Sequence, residues 1–202
     1  MPSSHRLLIY LIAGWSGYYV MAIELLSGRI LAPNFGNSIY VWGGIITVFM
    51  VALSVGYLAG GQLSVVAPTQ SKLAGLLLAA AAATLPIVIV GDPVLEWIFN
   101  RVHDPRYASL LASSTLFFIP TAVSGMVSPY AVRLLATELR ATGRSAGLLF
   151  FVSTFGSAAG TIVTSFYMVL WFEINQIFIG MIAVSAVIGV AALGFRNARV
   201  AI

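Results

Sequence analysis

Residues 7–31 read LLIYLIAGWSGYYVMAIELLSGRIL, an apolar run with one carboxylate inside it, Glu24. About 20 apolar residues are enough for a helix to cross the hydrocarbon core of a bilayer, so this run predicts a membrane helix. It is longer than the roughly 7–15 apolar residues of a signal peptide, and we therefore expect no cleavable leader. Pro33 and Gly36 follow, and both residue types favour the end of a helix at a membrane surface.

The composition of the whole chain indicates an all-α integral membrane protein. Of the 202 residues, 60% are hydrophobic and 8% are charged, whereas soluble domains have about 25% charged residues. The chain has no cysteine, which excludes disulfides and thiolate metal sites. The basic residues lie in short loops, where they are explained by membrane topology, so we expect membrane lipid as a partner and no nucleic acid.

Apolar runs of about 20 residues predict six transmembrane helices in a single domain that covers residues 1–202. The expected helices are 7–31, 39–65, 73–90, 107–136, 145–170 and 175–195. The longest piece between them, 91–106, contains Trp97 and Phe99 among charged residues. We expect it to form a short interfacial helix with its aromatic rings at headgroup depth.

The distribution of basic residues predicts the orientation. Seven of the ten fall on one side of the predicted spans: Arg6, Lys72, Arg133, Arg140, Arg144, Arg196 and Arg199. The other side has Arg29, Arg101 and Arg106 together with several acidic residues, Glu138 being the one acidic residue in the basic fourth loop. The positive-inside rule therefore predicts that both termini are cytoplasmic.

Two glycine pairs suggest internal symmetry. Gly56 and Gly60 in the second span match Gly156 and Gly160 in the fifth span, at an offset of 100 residues. Halves of three spans each would be inverted relative to one another, as in many transporters. The alternative is that both pairs are ordinary close-packing seams, because small residues four apart are common in membrane helices.

Glu24 lies on a small-residue face of the first span. Gly14, Gly17, Met21, Glu24, Gly28 and Leu31 follow one another at spacings of three and four. We expect this face to point into the bundle, because glycines let another helix approach closely. One interpretation is a cation, proton or movable ion-pair site at Glu24. The other is a static bridge with Arg29 or Arg106, although Arg29 lies about 140° away around an ideal helix.

The fourth span contains two prolines, Pro120 and Pro129, with Ser124 and Ser128 near them. Proline frees a backbone carbonyl, and such a break is tolerated in lipid where it is buried or lines a cavity. The serines are therefore candidate ligand residues in a small polar cavity. The alternative is a kinked packing helix whose serines bond their own backbone. Arg133, just beyond, is a further candidate for a ligand or ion pair, although topology alone explains it.

Several stretches in combination resemble one family. They are residues 24–36 (ELLSGRILAPNFG), 40–43 (YVWG), 54–61 (SVGYLAGG), 125–133 (GMVSPYAVR) and 143–147 (GRSAG) leading into 153–157 (STFGS). Together they are similar to the membrane domain of bacterial membrane-bound spermidine synthase-like proteins. That resemblance implies a fold like half of a major facilitator transporter in the bacterial inner membrane. Since residues 1–202 contain no aminopropyltransferase domain, the resemblance does not extend to that activity.

Two functions follow as hypotheses. The first is binding or transport of a small solute, cationic and polyamine-like, by a homodimer or with a partner subunit. The second is a non-catalytic membrane subunit that anchors or assembles a larger complex or a separate cytoplasmic enzyme. We expect no enzyme activity and no cofactor, because phosphate loops and hydrolase motifs are missing from the sequence. We expect no metal, because His5 and His103 are isolated from other ligand residues.

Overall fold

The structure, a computed structural model, describes residues 3–135 and 142–197, and these residues form helices and no strands. The α-helices are α1 (Ser3–Phe35), α2 (Ile39–Leu63), α3 (Gln70–Arg101), α4 (Pro105–Gly125), α5 (Val127–Leu135), α6 (Thr142–Val163), α7 (Val169–Trp171) and α8 (Ile174–Asn197). A π-helical segment, Thr164–Met168, joins α6 to α7.

These helices make six segments long and apolar enough to cross a membrane, which confirms the predicted six-span fold. The first three spans are α1, α2 and α3; α4 and α5 form the fourth, α6 through α7 the fifth, and α8 the sixth. Successive spans cross in opposite directions, so the loops 36–38, 102–104 and 172–173 share one face. We call this the short-loop face, and the opposite one the terminus face.

The first helix extends further than predicted. It passes through Pro33 and ends at Phe35 rather than near Leu31. Pro33 lacks an N–H, which removes one hydrogen bond to Arg29 without ending the last turn. Gly36 ends the helix instead: it has a φ of 78° and its N–H donates to the Ala32 carbonyl at 2.9 Å. A left-handed residue of this kind commonly ends a helix, and glycine adopts it without steric penalty.

The prediction of a separate interfacial helix over 91–106 is wrong. Helix α3 continues through Pro86 and Pro93 to Arg101, so its 32 residues include most of that segment. A helix of this length is about 48 Å long and exceeds the hydrocarbon core by several turns. Prolines within membrane helices are tolerated because local adjustments satisfy the freed backbone groups. The aromatic residue Trp97 is exposed on these last turns, with the Arg101 guanidinium 5.6 Å from its ring centre.

The two glycine pairs make equivalent contacts. A Cβ atom on Gly60 would lie 2.5 Å from the Met126 carbonyl oxygen, and one on Gly160 would lie 2.5 Å from that of Tyr18. Gly56 and Gly156 meet the carbonyl oxygens of Ala122 and Gly14 in the same way. The second span therefore packs on the fourth as the fifth packs on the first. In inverted repeats of three spans, span 1 corresponds to span 4 and span 2 to span 5. A contact between spans 2 and 4 therefore requires an equivalent contact between spans 5 and 1.

Helix α1 lies at the centre of the bundle and is tied to two other helices by side-chain hydrogen bonds. Trp15 Nε1 donates to Ser185 Oγ in α8 at 2.8 Å, and the Tyr19 hydroxyl donates to Thr84 Oγ1 in α3 at 2.8 Å. The core consists of two apolar clusters, a larger one that includes Tyr19 and Phe178 and a smaller one that includes Ile9. Polar groups in a membrane interior need partners, so these bonds define how α1 is rotated in the bundle.

Candidate functional site

Glu24 lies within α1, a helix long and apolar enough to cross a membrane, and is half-buried. It is five residues from the middle of α1, a distance of about 7.5 Å along the helix axis. Across residues 3–135 and 142–197, its carboxylate has neither an ion pair nor a hydrogen bond. An ionisable side chain at this depth is costly unless something pairs with it.

In the described residues Glu24 does not form the bridge to Arg29 or Arg106 that the static interpretation requires. Arg29 is exposed on another side of α1, since five residues turn an ideal helix by about 140° beyond one full turn. The Arg106 guanidinium lies 4.7 Å from the centre of the Tyr40 ring, and its Nε is 4.0 Å from Asp104. Both predicted partners are therefore placed away from the carboxylate.

The glycines of α1 show what lies beside Glu24. A Cβ atom on Gly17 would lie 2.9 Å from Ser157 Oγ in the fifth span, and one on Gly14 would lie 3.1 Å from Val152 Cγ1. A Cβ atom on Gly28 would lie 2.6 Å from the Trp42 ring of α2. Glu24 is about 20° from Gly17 and about 40° from Gly28 around the helix. It therefore lies on the side of α1 that faces the fifth span and the start of α2.

A cavity of about 230 Å³ lies beside α1, towards the short-loop face. It is formed by α1, the start of α2 and the π-helical segment. Its lining residues are Leu25, Leu26, Gly28, Arg29, Ala32, Asn37, Trp42, Thr164, Ser165 and Val169. Trp42 Nε1 donates to Asn37 Oδ1 at 2.8 Å, which holds the amide at the rim. The lining combines apolar side chains with the polar groups of Arg29, Asn37, Thr164 and Ser165.

Thr164 lines this cavity, is fully buried, and its hydroxyl has no hydrogen-bond partner among the described residues. Its neighbour Thr161 behaves differently, because that hydroxyl donates to the Ser157 carbonyl at 3.0 Å. Thr164 begins the π-helical segment, and single π-helical turns within α-helices occur frequently at functional sites. A buried hydroxyl without a partner is unfavourable by about 1–3 kcal/mol.

The predicted residues of the fourth span are dispersed. Ser124 Oγ donates to the Pro120 carbonyl at 2.8 Å, and the Ser124 carbonyl accepts from Ser16 Oγ at 3.1 Å. The Ser124 side chain therefore bonds its own backbone, as the packing alternative predicted. Ser128 is half-buried, and Arg133 is exposed near the terminus-face end of α5. Glu138, Arg140 and Arg199 lie outside the described residues.

Sequence reasoning did not identify Thr164, Asn37 or the contact between Trp42 and Gly28 as parts of a site. A threonine in an apolar run gives no sign that its hydroxyl lacks a backbone partner, since most such hydroxyls bond the preceding turn. The π-helical segment likewise has no sequence signature that separates it from the rest of the fifth span. Asn37 is one of several polar loop residues, and only its bond to Trp42 distinguishes it.

The described segments contain no group of three or more histidine, aspartate or glutamate side chains that could hold a metal ion. His5 instead hydrogen-bonds the Gln70 side chain through Nδ1. Comparisons with models of known families, with curated proteins and with solved structures found no match.

Proposed function

We propose that this polytopic membrane protein binds a small cationic solute at Glu24, as one half of a transport-type assembly. The observation that supports this is the carboxylate itself, half-buried in the membrane interior and without a cationic partner among the described residues. An intramembrane carboxylate of this kind is stabilised by an incoming positive charge.

An organic amine suits the site better than a metal ion. Calcium takes six to eight oxygen ligands, and magnesium requires a near-ideal octahedron. In the described residues Glu24 belongs to no cluster of acidic side chains, whereas one carboxylate is enough to pair with one ammonium group. The resemblance to spermidine synthase-like membrane domains makes a polyamine the first solute to test.

The exposed surface supports assembly with a second six-span unit. The fifth span presents large apolar side chains outward, among them Phe151 and Phe155, whose rings stack 6.1 Å apart. Glu24 faces this same span. In transporters with inverted repeats, the substrate site lies near the bilayer midplane where repeats meet, and six spans supply one such half. A homodimer joined along the fifth span would enclose the Glu24 side of α1.

Binding of radiolabelled spermidine to the purified protein in lipid nanodiscs tests the proposal. We expect saturable binding that Glu24→Gln weakens by at least about tenfold, since a hydrogen bond to a charged group contributes about 1.5–3 kcal/mol. The matched control is Glu173→Gln, which removes an exposed carboxylate on the short-loop face. Equal binding by the wild type and by Glu24→Gln would overturn the proposal.

The second candidate function is a non-catalytic subunit of a larger membrane complex. It is favoured by the extent of the exposed aromatic surface, which continues past Glu24 to Phe166 and Trp171 near the short-loop face. Purification from native membranes, followed by mass measurement of the intact particle, separates the two functions. A stoichiometric second protein supports the subunit, whereas a homodimer made of this chain alone supports the solute-binding assembly.

A further inference from the structure

We propose that the cavity beside Arg29 is a second site, which binds a small oxyanion group, phosphate or carboxylate, at the short-loop face. Arg29 supplies the positive charge, and in the part of the chain that the structure describes its guanidinium has no acidic partner. The ten lining residues include no aspartate or glutamate. An exposed guanidinium with planar donors is well suited to phosphate and carboxylate oxygens.

The other polar groups of the cavity add donors around Arg29. Asn37 uses its amide oxygen to accept from Trp42 Nε1, and that bond leaves both amide hydrogens available. Thr164 lines the cavity and has a buried hydroxyl with no partner among the described residues, and Ser165 contributes an exposed hydroxyl. Donors from α1, from the loop before α2 and from the π-helical segment therefore meet at one cavity.

The size and lining of the cavity favour a small headgroup. Its 230 Å³ is below the roughly 300–1,000 Å³ of pockets for drug-sized ligands. Leu25, Leu26 and Val169 make its remaining lining apolar. The oxyanion could therefore belong to an anionic lipid headgroup or to a soluble phosphate or carboxylate, and both sources present the same chemistry to Arg29.

This site is independent of the one proposed at Glu24. The two side chains lie about 140° apart around α1, and the Trp42 ring packs over Gly28 between them. Substitution of Glu24 is therefore expected to leave oxyanion binding unchanged, so the two proposals can fail separately.

Native mass spectrometry of lipid adducts tests the lipid source. After reconstitution with equal phosphatidylglycerol and phosphatidylcholine, we expect the wild type to retain phosphatidylglycerol preferentially. Arg29→Gln should reduce that retention about tenfold, because a bidentate charge-assisted contact is lost, and Thr164→Val about threefold, because one neutral hydrogen bond is lost. Arg101→Gln is the matched control, since that arginine lies over Trp97 outside the cavity.

Calorimetric titration of inorganic phosphate and of acetate into the protein in phosphatidylcholine nanodiscs tests the soluble source. Saturable binding that Arg29→Gln abolishes and Arg29→Lys partly restores assigns the site to a soluble anion. Preferential lipid retention without phosphate or acetate binding assigns it to a headgroup. The proposal is wrong if neither lipid retention nor soluble-anion binding depends on Arg29, while Arg29→Gln and Arg29→Lys keep the wild-type melting temperature. If Arg29→Gln lowers the melting temperature, the lipid retention and anion binding of Thr164→Val and Arg29→Lys decide whether the site exists.

Discussion

At the scale of single residues, the buried hydroxyl groups of this chain differ in whether they have a hydrogen-bond partner. Ser124 and Thr84 donate to carbonyl oxygens of the preceding turn, at 2.8 and 2.9 Å. Such bonds satisfy a hydroxyl in lipid without another helix. Thr164 is buried to the same extent but has no partner among the described residues. Ser113 and Thr121 also lack a partner among the described residues, and Thr164 differs from them because it lines the 230 Å³ cavity.

Replacing Gly60 with alanine is expected to destabilise the protein. A Cβ atom there would lie 2.5 Å from the Met126 carbonyl oxygen, and such overpacking is unfavourable by about 1–3 kcal/mol. The neighbouring Gly61→Ala is the control, because a Cβ atom on Gly61 meets nothing within 4 Å. Unfolding in bicelles with a denaturing detergent measures the difference. Equal stability of the two variants would contradict the close contact between the second and fourth spans.

At the scale of helices, prolines have three different outcomes in this chain. Pro33 is accommodated in the last turn of α1, and Pro86 and Pro93 are accommodated within α3. Pro129 instead accompanies a one-residue interruption at Met126, since α4 ends at Gly125 and α5 begins at Val127. Proline at residue 129 cannot donate to the Gly125 carbonyl, and proline is well tolerated in the first turn of a new helix. The surrounding packing decides which outcome occurs.

Replacing Pro129 with alanine is expected to make the fourth span a continuous helix across Met126, because it restores the missing N–H donor. The chain has no cysteine, so spin labels can be placed at the exposed Ile119 and Arg133 without background. The distance between their Cα positions should move towards about 21 Å, the value for 14 residues of straight helix, and its distribution should narrow. Pro120→Ala is the control, since α4 is continuous through that residue. An unchanged distance distribution in Pro129→Ala would show that Pro129 does not cause the break.

At the scale of the whole molecule, the repeated glycine contacts define how the two halves are arranged. The second span packs on the fourth and the fifth on the first through backbone carbonyls four residues apart. This arrangement places the half-buried Glu24 beside the exposed fifth span rather than inside a closed bundle. A membrane protein built in this way presents the large apolar surface of its fifth span to a neighbour, either lipid or a second subunit.

The orientation of the whole molecule can be tested by labelling single cysteines in cells. Ser38 lies in a loop of the short-loop face, and Val66 lies in a loop of the terminus face. The charge distribution predicts that Ser38→Cys reacts from outside with a membrane-impermeant maleimide, whereas Val66→Cys reacts only after permeabilisation. The reverse pattern of labelling would show that both termini are outside.

The predictions from sequence succeeded for features that depend on the hydropathy of one segment and not on its neighbours in the fold. Six apolar runs predict six helices, because in lipid every backbone polar group has to be satisfied within a helix. The same reasoning identified Glu24 as unusual and Gly56, Gly60, Gly156 and Gly160 as packing residues, which the structure places at close helix contacts. Periodicity along one helix was sufficient for these predictions.

Tertiary structure decided everything that depends on two helices at once. The static interpretation of the sequence named Arg29 or Arg106 as partners of Glu24, yet the helical offset along α1 places Arg29 elsewhere and Arg106 lies over the ring of Tyr40. Only the fold brings Asn37 and Thr164, 127 residues apart in the sequence, to the cavity beside Arg29. The physical reason is that hydropathy and helical period depend on neighbouring residues in the chain, whereas a binding cavity depends on how separate helices rotate and pack.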